Sequence, residues 1–388
     1  MSEVRVTTGL EVLARDGAPA LNGKRVGLIT NHSAIDRHLQ NAIDLLHASK
    51  HFELVALFGP EHGVRGQAQA GVVVGSSVDE QTGLPVHSLY GDTRSPTPEM
   101  LEGLDALLYD IQDVPVRFAT YISTLACAQE AAADIGLPFV VCDRPNGLTG
   151  VHVEGNLLDP SFASFVGVHP VPIRHGLTAG ELARLFAVDN EWPEPTVITM
   201  EGWRRSMWYE QTGLPWVLPS PNLPTLDSLL VYPGACFIEG TNLSEGRGTT
   251  RPFEFIGAPW IDPFELAHAL SQRGLQGVGF RAAWFEPTFS KHAKTSCGGI
   301  QIHVLDRDVF RPVELGVHLV DACRTLSGES FEWRSDVVGG YAIDLLSGSS
   351  TLRLGLEAGL KPADIIAQWN AEASGFRERA KEIWLYEV

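Results

Sequence analysis

The chain has 388 residues, 44% of them hydrophobic and 20% charged, the make-up of a soluble globular protein long enough for two domains, or one large domain with an appendage. A formal net charge of −18 argues against broad nucleic-acid binding and against anionic membrane surfaces, both of which call for a basic face. Five widely spaced cysteines (Cys127, Cys142, Cys236, Cys297 and Cys323) include no C-x-x-C pair and read as structural thiols in a reducing compartment. No stretch approaches the ~18 apolar residues of a membrane span, and Met1-Ser2-Glu3-Val4-Arg5 opens no signal-peptide-like core. A cytoplasmic protein is expected.

In chain order, Arg25 to Thr30 is a short buried-strand run and Asn41 to Ser49 a helix. Strands follow at Leu54 to Phe58, Val86 to Tyr90 and Ala106 to Asp110, then an Ala-rich helix from Tyr121 to Ile135 and a strand from Pro138 to Cys142. After Val168 to Ile173 a helix opens near Thr178, where Thr178 and Glu181 make a capping-box pattern. Val197 to Met200 closes this half as a strand, and Trp203 to Pro224 is a connector. Apolar strands alternating with helices predict an open, mostly parallel α/β sheet over 1–224. A smaller α+β domain is expected over 225–388, with strands at Leu229 to Ile238, Gly279 to Phe285 and Gly299 to Leu305, and a tail from Lys361 to Tyr386 that starts helical.

The strands of the first half end in polar clusters: Thr30-Asn31-His32, Glu61-His62, Asp110-Ile111-Gln112-Asp113 and Asp143-Arg144-Pro145-Asn146. Ligands of open α/β sheets bind beyond the carboxyl ends of the strands, so these clusters predict a site along one edge. In Gly59-Pro60-Glu61-His62-Gly63 a tight bend lifts Glu61 and His62 off that edge, either as a general acid and its neighbour or as a plain capped turn. Asp110 and Asp113 can share a proton, hold a metal or pair with arginine; alternatively Asp113 bridges to Arg117 while Asp110 caps a helix. Arg144 suits a ligand carboxylate or an internal Asp partner equally.

In the second half, E-G-T-N-L-S-E-G-R-G-T-T-R-P-F-E from Glu239 to Glu254 holds three Glu and two Arg and almost nothing apolar. Such a loop suits a hydroxyl-rich or anionic small molecule. Lys291 and His292 can close over it as polar contacts, or serve only structure. There is no H-E-x-x-H, P-loop, complete G-x-G-x-x-G or G-x-S-x-G, which speaks against metal hydrolases, NTPases, nicotinamide enzymes and serine esterases. No cofactor or metal is expected.

Taken together, G-P-E-H-G, D-I-Q-D-V-x-V-R-F-x-T-Y, D-R-P-N, P-S-P-N-L-P-T, the long acidic loop and F-S-K-H-A-K-T-S-C-G-G-I-Q-I-H-V resemble the NamZ family of exo-β-N-acetylmuramidases, from about Gly9 onward. The resemblance implies a Rossmann-like N-terminal domain, a smaller C-terminal domain and an active-site cleft between them. It implies release of N-acetylmuramic acid (MurNAc) from the non-reducing end of peptidoglycan fragments; the expected cytoplasmic location suits recycling of imported wall material. Carried over, the motif glutamate is Glu61, the candidate general acid. Pro115 and Ala119 stand where Gly and an aromatic residue are expected, and Gly147 where Pro is expected.

Glycoside hydrolysis needs a second carboxylate or an internal nucleophile opposite the acid. Asp110 is the first candidate, with Glu239 and Glu245 behind it; the substrate's N-acetyl group is the other possibility. The remaining expected contacts are Asn31, His62, Asp113, Arg117, Tyr121, Asp143, Arg144, Asn146, Asn222, Asn242, Glu245, Arg247, Lys291 and His292. The lactyl carboxylate of MurNAc calls for a guanidinium, with Arg247 first, then Arg144 and Arg65. The competing reading is a non-catalytic muropeptide sensor. A nucleotide-dependent transferase is weaker, since the phosphate loop is missing.

Overall fold

The structure, a computed structural model, describes residues 5–388 apart from 67, 70, 73, 74, 336, 338 and 339. Met1–Val4, which bear on the expectation of no leader, lie outside the described residues.

The first half carries strands β1 (Arg25–Thr30), β2 (Glu53–Gly59), β3 (Ser77–Val78), β4 (Pro85–Ser88), β5 (Ala106–Asp110), β6 (Phe139–Cys142), β7 (Glu154–Leu157), β8 (Pro172–Arg174) and β9 (Thr196–Ile198). Its helices are α1 (Gly9–Asp16), α2 (Ala42–His47), α3 (Pro98–Leu101), α4 (Thr120–Asp134) and α5 (Ala179–Asn190). Seven strands form one sheet in the order β3-β4-β2-β1-β5-β6-β9, parallel throughout except for the short β3–β4 pair. From β1 the chain builds outward first through β2 and β4, then in the other direction through β5, β6 and β9. That reversal is the doubly wound arrangement, and its switch point lies between β1 and β5, where Thr30 pairs with Asp110.

Neighbouring residues of the central strands face opposite layers, as a period of two requires. Ile29, Leu107 and Val141 pack on α4 and α5 through Ile122, Leu125, Leu182 and Phe186. Leu28, Leu108 and Val140 pack on α1 and α2 through Leu10, Leu13, Ile43 and Leu46. Each fully buried Leu or Ile here contributes about 1.5–3 kcal/mol, so truncating Leu108, sealed at the sheet centre, would cost more than any surface change. The Thr178–Glu181 capping box opens α5 as the sequence predicts.

The second half is built from α6 (Leu226–Ala235), β10 (Phe255–Ala258), α7 (Pro263–Ser271), β11 (Val278–Phe285), β12 (Cys297–Val304), α8 (Pro312–Ser327), α9 (Ala342–Ser347), α10 (Thr351–Glu357) and α11 (Pro362–Ala380). The three strands form an antiparallel sheet, β10-β12-β11. One expectation is overturned: Leu229 to Ile238 is not a strand but most of α6 followed by a 3-10 turn. The segment is apolar on every side because it is enclosed on every side. It crosses α8 so closely that a Cβ on Gly234 would meet the Pro312 carbonyl oxygen at 1.8 Å.

The two halves exchange core residues. Val114, Val116 and Phe118 pack into the second half's core. Phe376, Ala380 and Ile383 return to that of the first. Beyond α11 the tail is tied down by Leu385 N–H to Glu181 (3.0 Å) and by the Tyr386 hydroxyl to Asp143 (2.6 Å). Among the described residues no helix is long and apolar enough to cross a membrane.

Candidate active site

At the carboxyl edge of the sheet, beside the switch point, a cleft of about 490 Å3 opens between the halves. Its apolar wall is Val114, Phe118, Ala119, Leu223, Tyr232 and Phe253, and its polar groups come from Glu61, His62, Thr120, Tyr121, Ser220, Asn222 and Arg247. Glu61 is the one carboxylate among these lining residues. The turn after β2 places it there. His62 takes a left-handed conformation (φ 73°), and its Nδ1 is bonded to the Ala68 carbonyl at 2.8 Å, which fixes the bend. Glu61 Oε1 accepts from the Gly71 N–H at 2.8 Å and Oε2 from the Thr120 hydroxyl at 2.7 Å.

Around that carboxylate the site is crowded with phenols. Tyr90 lies beside Glu61, its phenol pushed up to about 12 by burial and then by the Glu61 charge. Tyr121 is raised by burial and by Glu61; its hydroxyl donates to the Pro219 carbonyl and is flanked by Asn31. Asp113 sits just behind the Val114 wall. Burial pushes its carboxyl up to about 8, against the opposing Val114 N–H donated at 2.9 Å. Asn222 lines the cleft directly.

Other expected site residues are placed elsewhere. Asp110 does not line the cleft; it is sealed and held by Arg144 through Nε at 2.5 Å and Nη2 at 3.0 Å. Arg144 spends its third nitrogen on the Ile35 carbonyl at 3.0 Å. Asp143 caps α5 by accepting from Gly180 N–H (2.9 Å) and Thr178 hydroxyl (2.7 Å), with burial pushing it up to about 6. Arg117 does not bridge to Asp113; it reaches the carbonyls of Asn156, Val171 and Ser347, and burial pulls it down to about 9. Asn146 holds its own loop through Leu148 N–H and the Leu177 carbonyl, and Asn242 does the same with Ser330 and Glu332. These side chains brace the two halves rather than face the cleft.

The acidic loop closes on itself. Arg247 reaches the cleft, but its Nη2 and Nε donate to Glu239 at 2.5 and 3.1 Å, and Glu245 lies 3.4 Å from Nε. Lys291 meets Glu245 at 2.8 Å and donates to the Ile238 and Thr241 carbonyls, while His292 is bonded to the Asn242 carbonyl. Phe253, in a left-handed conformation (φ 65°), turns its ring under Arg247 and against Tyr232. Arg65, the third candidate cation, forks to both Asp44 and Asp79. Among the described residues no group of three or more His, Cys, Asp or Glu side chains could hold a metal ion.

Comparison with known proteins decides the family. Residues 26–227 match the model of the N-terminal part of exo-β-N-acetylmuramidase NamZ, and residues 230–386 that of its C-terminal part. The chain belongs to the NamZ family. It is therefore a glycosidase of the exo-β-N-acetylmuramidase type. It is 49% identical over 386 residues to the peptidoglycan β-N-acetylmuramidase NamZ of Bacillus subtilis (strain 168), covering 98% of this chain and 92% of the relative. Two DUF1343 family proteins from Bacteroides fragilis NCTC 9343, known as crystal structures, share its fold. One has TM-score 0.90 at 38% identity, covering 99% of this chain and 100% of that one; the other has TM-score 0.78 at 30% identity, covering 98% and 99%.

In this NamZ chain the sequence reading passed over Thr120, Ser220, Tyr90 and the apolar wall of Phe118, Leu223, Tyr232 and Phe253. Thr120 carried a usable signal, since it stands beside Tyr121 in the D-I-Q-D-V-x-V-R-F-x-T-Y run. Ser220 and Tyr232 carried none, because nothing local marks which face of a connector or of a buried helix borders a cleft.

Proposed function

We propose that this glycosidase releases MurNAc from the non-reducing end of peptidoglycan fragments such as MurNAc-GlcNAc, with Glu61 as the general acid. What supports the reading most is the placement of Glu61: a carboxyl at the cleft between the halves, held on each oxygen by one donor, in a chain of this family. An acid that protonates the leaving oxygen must be aimed, and two fixed hydrogen bonds aim it. The apolar wall of Phe118, Tyr232 and Phe253 suits the faces of a sugar ring, and Asn222 and Ser220 suit its hydroxyl and acetamido groups. Ala119 in place of an aromatic residue widens the wall beside Thr120.

For the partner of Glu61, Asp110 is tied to Arg144 and Glu239 to Arg247, which favours participation of the substrate's own N-acetyl group. Asp113, carrying its proton at neutral pH, would then serve as a buried hydrogen-bond donor near the acetamido pocket. A division at 224/225 into catalytic and auxiliary domains, a cytoplasmic location and a role in recycling wall fragments complete the proposal. The test is incubation with MurNAc-GlcNAc, following free sugars by mass spectrometry, for the wild type and Glu61→Gln. Release of MurNAc by the wild type and its loss by ~10³-fold or more in the variant, with binding retained, is expected for a residue acting as acid. Binding without release by the wild type would instead establish a muropeptide sensor.

A further inference from the structure

Within the proposed muramidase reading, one further group earns a role. We infer that Arg94 is the residue that recognises the lactyl carboxylate, and so sets the preference for MurNAc over N-acetylglucosamine. Each arginine that the sequence favours for this task is already committed. Arg247 is paired with Glu239 and Glu245, Arg144 with Asp110, and Arg65 with Asp44 and Asp79. A guanidinium surrounded by its own carboxylates presents little net positive charge to a ligand.

Arg94 is different. It is exposed, and among the described residues it makes no ion pair and no hydrogen bond. Its guanidinium is nevertheless positioned, lying 4.4 Å above the Phe165 ring and 5.5 Å from the Tyr90 ring. A cation–π contact uses none of the guanidinium N–H donors, so they remain available to take a carboxylate with two parallel hydrogen bonds. Phe165 is itself anchored, its carbonyl accepting from the Ser123 hydroxyl of α4 at 2.7 Å, one turn from Thr120 and Tyr121 of the cleft.

The placement relative to Glu61 fits the sugar. Tyr90 neighbours both groups: its phenol interacts with Glu61, and its ring lies 5.5 Å from the Arg94 guanidinium. The lactyl arm leaves ring carbon 3, two ring positions from the anomeric carbon that bears the glycosidic oxygen, and carries its carboxylate outward from there. A cation that neighbours the same phenol as the acid is therefore placed to meet that carboxylate when the acid faces the glycosidic oxygen.

The experiment compares kcat/KM on MurNAc-GlcNAc and on the same disaccharide with the lactyl carboxylate converted to a neutral methylamide, for wild type, Arg94→Ala and Arg94→Lys. The ratio of acid to amide should fall by roughly 10- to 100-fold in Arg94→Ala, chiefly through KM on the acid, and less in Arg94→Lys, which keeps the charge but not the fork. A ratio unchanged from wild type, whether both substrates fall together or neither does, would overturn the inference. Arg94→Gln, which keeps a planar head on Phe165 without charge, gives the same comparison should the alanine variant fail to fold. A wild type that releases no MurNAc at all would overturn the muramidase reading and this inference with it, whereas an active wild type with an unmoved ratio removes the inference alone.

Discussion

The Thr120 hydroxyl donates to Glu61 Oε2 at 2.7 Å, so the first turn of α4 holds the carboxylate that the end of β2 presents. Two elements on either side of the switch point therefore set one side chain. Thr120→Val keeps the shape and removes the donor. Loss of one hydrogen bond to a charged group, about 1.5–3 kcal/mol, predicts a fall in kcat of about 10- to 100-fold. Steady-state kinetics on MurNAc-GlcNAc, with a thermal melt to show an intact fold, checks it; an unchanged kcat would mean that Thr120 only fills space.

Asp113 couples folding to pH. Its carboxyl is raised from an ordinary value of 3.8 to about 8 by burial, so the folded state holds a proton that the unfolded state releases. Its favourable contribution is complete below about pH 4 and is lost progressively as pH rises to about 8. Asp113→Asn keeps an acceptor for the Val114 N–H and cannot ionise. The variant should gain on the wild type across this window, by a few kcal/mol at most, and the difference should level off above about pH 8. Urea unfolding at pH 5, 7 and 9 reads the trend; parallel curves would contradict a buried, protonated Asp113.

The Asp110–Arg144 pair is a brace between β5 and the loop after β6. Arg144→Met alone leaves a sealed, unpartnered carboxylate and should cost about 3–5 kcal/mol. Replacing both, as Asp110→Asn with Arg144→Met, should recover much of that loss. Chemical denaturation of the two single variants and the double variant measures the coupling. If Asp110 were instead the second catalytic carboxylate, Asp110→Asn would abolish turnover in protein that is still folded, a loss beyond what its reduced stability explains.

The sheet was legible because its strands are short apolar runs closed by Gly, Pro or charged residues, and buried parallel strands leave just that trace: Arg25–Thr30, Ala106–Asp110 and Phe139–Cys142 all appear. Leu229–Ile238 leaves the same trace for a different reason. Enclosure on all sides removes the helical period, and Pro233 and Gly234 inside the run argue locally against a helix. The polar clusters at the strand ends were legible as a group but not one by one. Asp110, Glu61 and Asp143 look alike in sequence; what separates them is a partner far along the chain, Arg144, Thr120 and Tyr386 respectively. The acidic loop misled in the same way, since Glu239, Glu245 and Arg247 satisfy one another before they meet any ligand.

The hydrogen bond from Tyr386 to Asp143 spans 243 positions of the chain, and Leu385 to Glu181 spans 204. A nascent polypeptide that has not yet reached this tail has the whole doubly wound sheet available, yet leaves bare the face on which Phe376, Ala380 and Ile383 will dock. The half synthesised first is thus completed last. Until then, an apolar surface and a buried-type aspartate stand open to chaperones, to proteases and to other copies of the same unfinished chain.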